Sequence, residues 1–240
     1  KIEALPQYRA LEKSLAAPAG EASVASLYGS ARALLLARLA EGADAPFLVV
    51  APDPVRARDI EDDLRIFGVE GVVAYPEDEL LPYDYHDPDR NLTGMQMRAL
   101  DALAGGSARV LVCTARGMLK RVYPPELFAR LVIDLRLHEE RDPTALADEL
   151  VRLGYERHET VEAKGMFALR GGILDVFAVA EDEPVRMEFD GDEIVSMRNF
   201  DIETQRSTGP RESLRAHPPT HIFLEPAGVA RLVERLRREA

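Results

Sequence analysis

The chain has a single cysteine, Cys113, which excludes an internal disulfide. It lies in the apolar run VLVCT and reads as a buried strand thiol. No apolar run approaches the roughly 18 residues of a membrane span, and no signal-peptide pattern opens the chain. A cytoplasmic protein with no membrane partner is expected. Basic charge is also scarce: 30 Lys and Arg stand against 42 Asp and Glu, a net charge of −12. That balance, with no evident basic patch, argues against a surface whose main task is neutralising phosphates. The five histidines are scattered and offer no triad-like neighbourhood. Internal repeats and low-complexity tracts are absent.

What is present describes a soluble globular protein. The 240 residues are 46% hydrophobic and 30% charged, enough to bury a sizeable core in one large or two smaller domains. Both ends look cut. The chain starts at Lys1 and stops at Ala240 directly after the helical pattern VARLVERLRREA, with no cap.

Residues 1–133 read as alternating helices and strands. Ser30–Leu39 is helical by composition, and FLVVAP (Phe47–Pro52) is a short apolar run like a strand buried on both faces. Asp53 then caps a helix with Pro54 at its first position. GVVAY (Gly71–Tyr75) and ARVLVCT (Ala108–Thr114) are further strands, with Asn91 as cap of the helix between them. This alternation predicts a mainly parallel sheet.

From Asp134 the grammar changes. One helix, Pro143–Leu153, ends at Gly154, and strands then follow one another. In FALRG, Phe167 and Leu169 share a face and leave Ala168 and Arg170 on the other. In VRMEF, Val185, Met187 and Phe189 leave Arg186 and Glu188 opposite, and Asp190-Gly191 signals a hairpin. The segment 134–212 is therefore a small α+β domain, and 213–240, with THIFL as a strand, is expected to return to the α/β domain.

Three places invite chemistry. A phosphate loop needs Gly-x4-Gly-Lys-Ser/Thr, so that backbone amides approach the phosphates, the Lys meets their charge and the hydroxyl holds magnesium. Here Ser26 and Ala31 occupy the glycine positions, Arg32 the lysine and Ala33 the hydroxyl, so only charge survives. The loop LPYDYHDPDR collects Tyr83, Asp84, Tyr85, His86, Asp87 and Asp89, but lacks calcium-loop spacing and a second zinc-type ligand. It reads as a Pro-stiffened loop packing its tyrosines against the sheet edge; a small-molecule enzyme using Asp84 and His86 is the eager alternative. No metal, cofactor or catalytic residue is assigned. Arg170 and Arg186 form the third place. Both fall on polar strand faces with no evident partner close in sequence, and Arg157 in YERHET extends the same patch. They read either as solvated charges or as the bidentate contacts of a protein interface.

The ordered series FALRG, ILDVF, DEI and FDIETQRS, within GYERHETVEAKGMFALRGGILDVFAV and EPVRMEFDGDEIVSMRNFDIETQRS, resembles the UvrA-binding domain of bacterial transcription-repair coupling factors and of their relative UvrB. The resemblance extends upstream through LPYD and VLVCTARGMLKRVYP, over nearly the whole chain. It implies an N-terminal module: a helicase-like α/β domain with a degenerate phosphate loop, interrupted by a small UvrA-binding domain. Such a module is non-catalytic and recruits UvrA to stalled transcription, while the motor and the RNA polymerase and DNA contacts lie elsewhere in a longer chain. The broken loop, and a Pro76–Asn91 segment too short for UvrB's DNA-clamping hairpin, favour the coupling factor over a UvrB-like ATP-dependent DNA-damage-binding fragment. Carried over by position, the UvrA-contacting arginines are Arg170 and Arg186. Asp190 stands where the family has a contacting aromatic, a departure that alters the apolar part of that contact.

Overall fold

A computed structural model describes residues 2–18, 20–78, 89–223 and 234–238. They form two compact units, residues 1–77 with 105–117 and residues 78–104 with 118–240.

The first unit starts with a 3-10 turn, Ile2–Ala4, and helix α1 (Pro6–Leu15), with Pro6 at its first turn. Helix α2 (Ala31–Glu41) buries Ala33, Ala37 and Ala40, the i, i+4, i+7 stripe of an amphipathic helix. Strand β1 (Phe47–Ala51), helix α3 (Pro54–Ile66), and strands β2 (Val72–Tyr75) and β3 (Val110–Thr114) complete it. The sheet is parallel, in the order β1-β3-β2. Val49, Val72, Val110 and Val112 pack with Leu64 of α3 and the alanines of α2. Asp53 caps α3 as its sequence requires, its Oδ1 accepting from Arg56 N at 2.8 Å. Among the described residues β1 departs from the expectation of burial on both faces: it lies at the edge of the sheet, and Leu48 and Val50 are half exposed opposite the helix-covered side. Cys113 is buried in β3, and that burial pushes its thiol pKa up, as suits an inert core sulfur.

The second unit holds helix α4 (Arg90–Ala104), helix α5 (Pro125–Leu131), strand β4 (Ile133–Arg136) and helix α6 (Pro143–Leu153). Strands β5 (Glu156–Arg157), β6 (Met166–Arg170), β7 (Ile173–Val176), β8 (Val185–Asp190), β9 (Glu193–Phe200) and β10 (Ser207–Pro210) follow, then β11 (Ser213–Ala216). β5 to β10 make one sheet in sequential order, antiparallel except for the β5–β6 pair. α6 is capped by Asp142, whose Oδ1 accepts from Thr144 N at 2.7 Å and Ala145 N at 3.1 Å. It stops at Gly154, whose φ of 107° suits a residue without Cβ. Leu146, Leu150 and Leu153 of α6 pack with Phe167, Leu174, Val185 and Met187 of the sheet. Each fully buried aliphatic side chain there contributes about 1.5–3 kcal/mol.

Two segments expected with the α/β part lie in this second unit. α4 is held by backbone proximity: a Cβ on Gly94 would lie 1.8 Å from Val179 O. Arg98 Nη1 also donates to Ala180 O at 2.7 Å. Its cap is Asp89, whose Oδ1 accepts from Asn91 N at 2.8 Å, rather than Asn91 itself. At the other end, β11 pairs antiparallel with β4. Tyr155 Oη then donates to His217 O at 2.8 Å and Tyr123 Oη to Thr220 O at 2.7 Å, fixing residues 217–220 on this unit. Residues 217–223 of the expected THIFL region contain no strand, and 224–233 lie outside the described residues. Residues 234–238 are helical, in keeping with the C-terminal pattern.

His221 closes this region. Its Nε2 lies 2.6 Å from Gln96 Oε1, and Gln96 and Lys120 both donate to Asp78 Oδ1, at 3.1 Å and 2.8 Å. Burial, aided by the Lys120 charge and opposed by Asp78, pushes His221 down to about 4. The unfolded chain therefore takes up a proton first as pH falls below about 6.5, and stability is lost between there and about pH 4. Urea unfolding of wild type and His221→Asn at pH 7.5 and 4.5 should show a loss on the order of 2 kcal/mol in wild type that the variant lacks. Gly94→Ala should lower the unfolding midpoint by several degrees, on the order of 2 kcal/mol of overpacking, checked by thermal denaturation.

Candidate docking surface

The six-stranded sheet has two unlike faces. Phe167, Leu174, Val176, Val185 and Met187 go to the α6 side. Alternation sends Ala168, Arg170, Asp175, Arg186 and Glu188 to the other, where the register sets Asp175 directly between Ala168 and Arg186.

The Asp175 side chain is 0% exposed. A carboxylate out of water costs several kcal/mol unless its charge and lone pairs are met. Arg186 meets both oxygens, Nε donating to Oδ1 at 2.7 Å and Nη2 to Oδ2 at 2.9 Å. Arg170 Nη2 donates to Oδ2 at 2.7 Å, and its Nη1 to Glu159 O at 2.6 Å. Forked charge-assisted bonds of this kind are the strong class. Two guanidinium groups on one carboxylate leave the cluster with one net positive charge.

Arg186 is further enclosed. Its Nη1 donates to Gln205 O at 3.2 Å, and its guanidinium carbon lies 4.6 Å from the Phe200 ring centroid. Its hydrogen bonds to Asp175 raise its pKa above the ordinary arginine value, against its partial burial. The turn that brings Gln205 here is held by Asp201, whose Oδ1 accepts from Thr204 N and Oγ1, both at 2.8 Å. Val161, Ala168, Phe177 and Phe200 form a small second core beside the cluster. Arg186 is thus 17% exposed, against 43% for Arg170.

The expected polar faces of both arginines are observed. Their reading as groups without a nearby partner is corrected: the partner is Asp175, reached across strands, and Arg170 alone keeps a broad exposed surface. Asp175 was missed because it interrupts the apolar run ILDVF, where an acid flanked by two core residues was the available signal. Asp190, exposed, ends β8 opposite Glu193. It shares Arg170's end of the sheet, because Phe189 N donates to Gly172 O at 2.8 Å in the β6–β7 turn. Glu188 pairs with Arg198 on the same face. Arg157 stands apart: its register partner is Phe167, a residue of the α6 face, so β5 does not align it with Arg170.

The phosphate-loop positions lie in the first unit. Residues 20–28 approach α2 without a strand. Ser26 takes a left-handed φ of 63°, Ala31 opens α2, Ala33 is buried, and Arg32 Nε donates to Leu27 O at 3.2 Å. The adjoining cavity, about 330 Å³, is lined by Arg32 and Arg56 together with Asp59, Asp62 and Asp63. Three carboxylates there oppose a phosphate. Of the LPYDYHDPDR loop, residues 79–88 lie outside the described residues. Among the described residues no group of three or more His, Cys, Asp or Glu is placed to hold a metal ion, and no helix is long and apolar enough to cross a membrane.

Replacing Asp175 by Ala leaves two guanidinium groups facing each other without their shared carboxylate. The loss should be about 3–5 kcal/mol, read as a lower urea midpoint.

Comparison with known proteins adds to this geometry. Residues 133–222 match the family model described as UvrB interaction domain. The chain is 36% identical over 206 residues to a transcription-repair-coupling factor of Myxococcus xanthus, covering 82% of this chain and 17% of that protein. It is 28% identical over 217 residues to the one from Bacillus subtilis (strain 168), covering 90% and 18%. For Staphylococcus aureus (strain MRSA252) the values are 30% over 215 residues, 89% and 18%. The chain spans less than a fifth of these relatives.

Proposed function

The chain belongs to the transcription-repair coupling factors, as the module that carries their UvrB interaction domain, and from that premise we propose that it is a non-catalytic docking module for UvrA. The carrying observation is the Asp175 cluster inside the matched residues 133–222, which presents Arg170 to solvent with one uncompensated positive charge. An acidic patch on UvrA is the complementary surface. Arg186 supports the contact from beneath and Asp190 borders it, whereas Arg157, aligned with Phe167 of the α6 face, lies outside it. In the longer protein this docking brings excision repair to stalled transcription, with RNA polymerase and DNA engaged by regions outside this chain. The segment 134–212 is the docking domain of this reading. The first unit is then a degenerate helicase-like nucleotide fold, consistent with Arg32 turned onto its own loop and acids lining the neighbouring cavity.

Calorimetric titration of the 240-residue chain with UvrA tests the reading, with ATP and duplex DNA as parallel titrants. Saturable binding to UvrA is expected, and Arg170→Glu should weaken it at least tenfold, within the roughly 2–5 kcal/mol range of charged interface contacts. Unchanged affinity in Arg170→Glu would overturn the reading. Tight ATP binding or steeply salt-dependent DNA binding would point to the UvrB-like, ATP-dependent alternative.

A further inference from the structure

We infer that the two arginines hold different posts on one carboxylate: Arg186 is the permanent counter-charge of Asp175, and Arg170 is a transferable one that Asp175 positions for the partner. This rests on the reading of the face as a UvrA docking surface.

The hydrogen bonds divide unequally. Arg186 satisfies both Asp175 oxygens by itself, through Nε and Nη2. Arg170 adds one bond, to Oδ2, which Arg186 already reaches. If Arg170 leaves, the buried carboxylate keeps a bidentate partner. If Arg186 leaves, Oδ1 loses the donor that serves it. Enclosure follows the same division. Arg186 is packed against Phe200 and bonded to Gln205 O, whereas Arg170's other bond goes to the backbone of exposed Glu159.

A partner carboxylate approaching Arg170 therefore takes over an interaction that Asp175 can spare. No buried charge is stranded. Before docking, Asp175 and Glu159 O hold the Arg170 guanidinium in place, so less side-chain freedom is lost when the partner arrives. Asp175 is out of solvent and acts through Arg170: it is a positioning residue.

The test uses the 240-residue chain, reading the thermal midpoint and the UvrA affinity for each variant. Arg170→Ala should weaken binding at least tenfold while moving the midpoint by no more than about 2 °C. Arg186→Ala should lower the midpoint by several degrees; if it does not fold, Arg186→Lys, which keeps the charge and loses the fork, should fall between it and wild type. Asp175→Asn should weaken binding in the wild-type background and add nothing in the Arg170→Ala background. Residues acting through one another are non-additive, whereas a purely structural Asp175 would weaken both backgrounds alike. Equal midpoint losses in Arg170→Ala and Arg186→Ala, or an additive Asp175→Asn effect, overturn the transfer even where the wild type binds. A wild type that does not bind UvrA overturns the docking reading and the transfer with it.

Discussion

One carboxylate without access to water governs the charged face of the second unit. Asp175 sits mid-strand, between Leu174 and Val176, whose side chains fill the core on the opposite face. A charge in that position is tolerable only when counter-charges are built around it. Arg186 comes from the neighbouring strand, Arg170 from the strand on the other side, and the Gln205 turn from the end of β9. Three separated pieces of sequence are thereby tied to one register. A slip of one residue in β7 would send Asp175 into the leucine-rich side and its neighbours out.

The rest of the unit makes that register rigid. α6 presses its leucines on the apolar face. α4 approaches so closely at Gly94 that the 177–180 segment following β7 has no room to shift. Phe200, Phe177 and Val161 close the charged face on its inner side, leaving Arg170 near the open end with the Gly171–Gly172 turn and Asp190. A fixed guanidinium on a stiff sheet is well suited to recognition, because order imposed by folding need not be imposed again by binding.

Much of this was legible in the chain. Alternation in FALRG and VRMEF separated the two faces, Asp53-Pro54 and Pro143 marked helix starts, and the Asp-Gly pair marked the β8–β9 hairpin. What escaped was set by register and packing across distance. Nothing local tells that Asp175 faces Arg186, that Arg157 aligns with Phe167 and not Ala168, or that Ser213–Ala216 pairs with β4. The association of α4 with the second unit hangs on a glycine, whose value lies in an absent side chain meeting a backbone oxygen 85 residues away, from Gly94 to Val179. The edge position of β1, with Leu48 and Val50 half exposed, likewise depends on strand order, which apolar content alone does not encode.

The phosphate-loop remnant and the arginine cluster present opposite cases. In the first unit Arg32 donates to its own loop and acids line the cavity beside it; in the second, two arginines share one buried carboxylate and Arg170 reaches the surface. That asymmetry is why the proposed recognition is placed on the second unit. The most direct measurement follows the arginine side-chain Nε–H signals of Arg170 and Arg186 by NMR, in the free chain and during titration with UvrA. A slowly exchanging Arg186 signal that stays in place and an Arg170 signal that shifts with saturation are expected. An Arg170 signal unmoved at saturation, or an Arg186 signal that exchanges freely in the unbound chain, would contradict it.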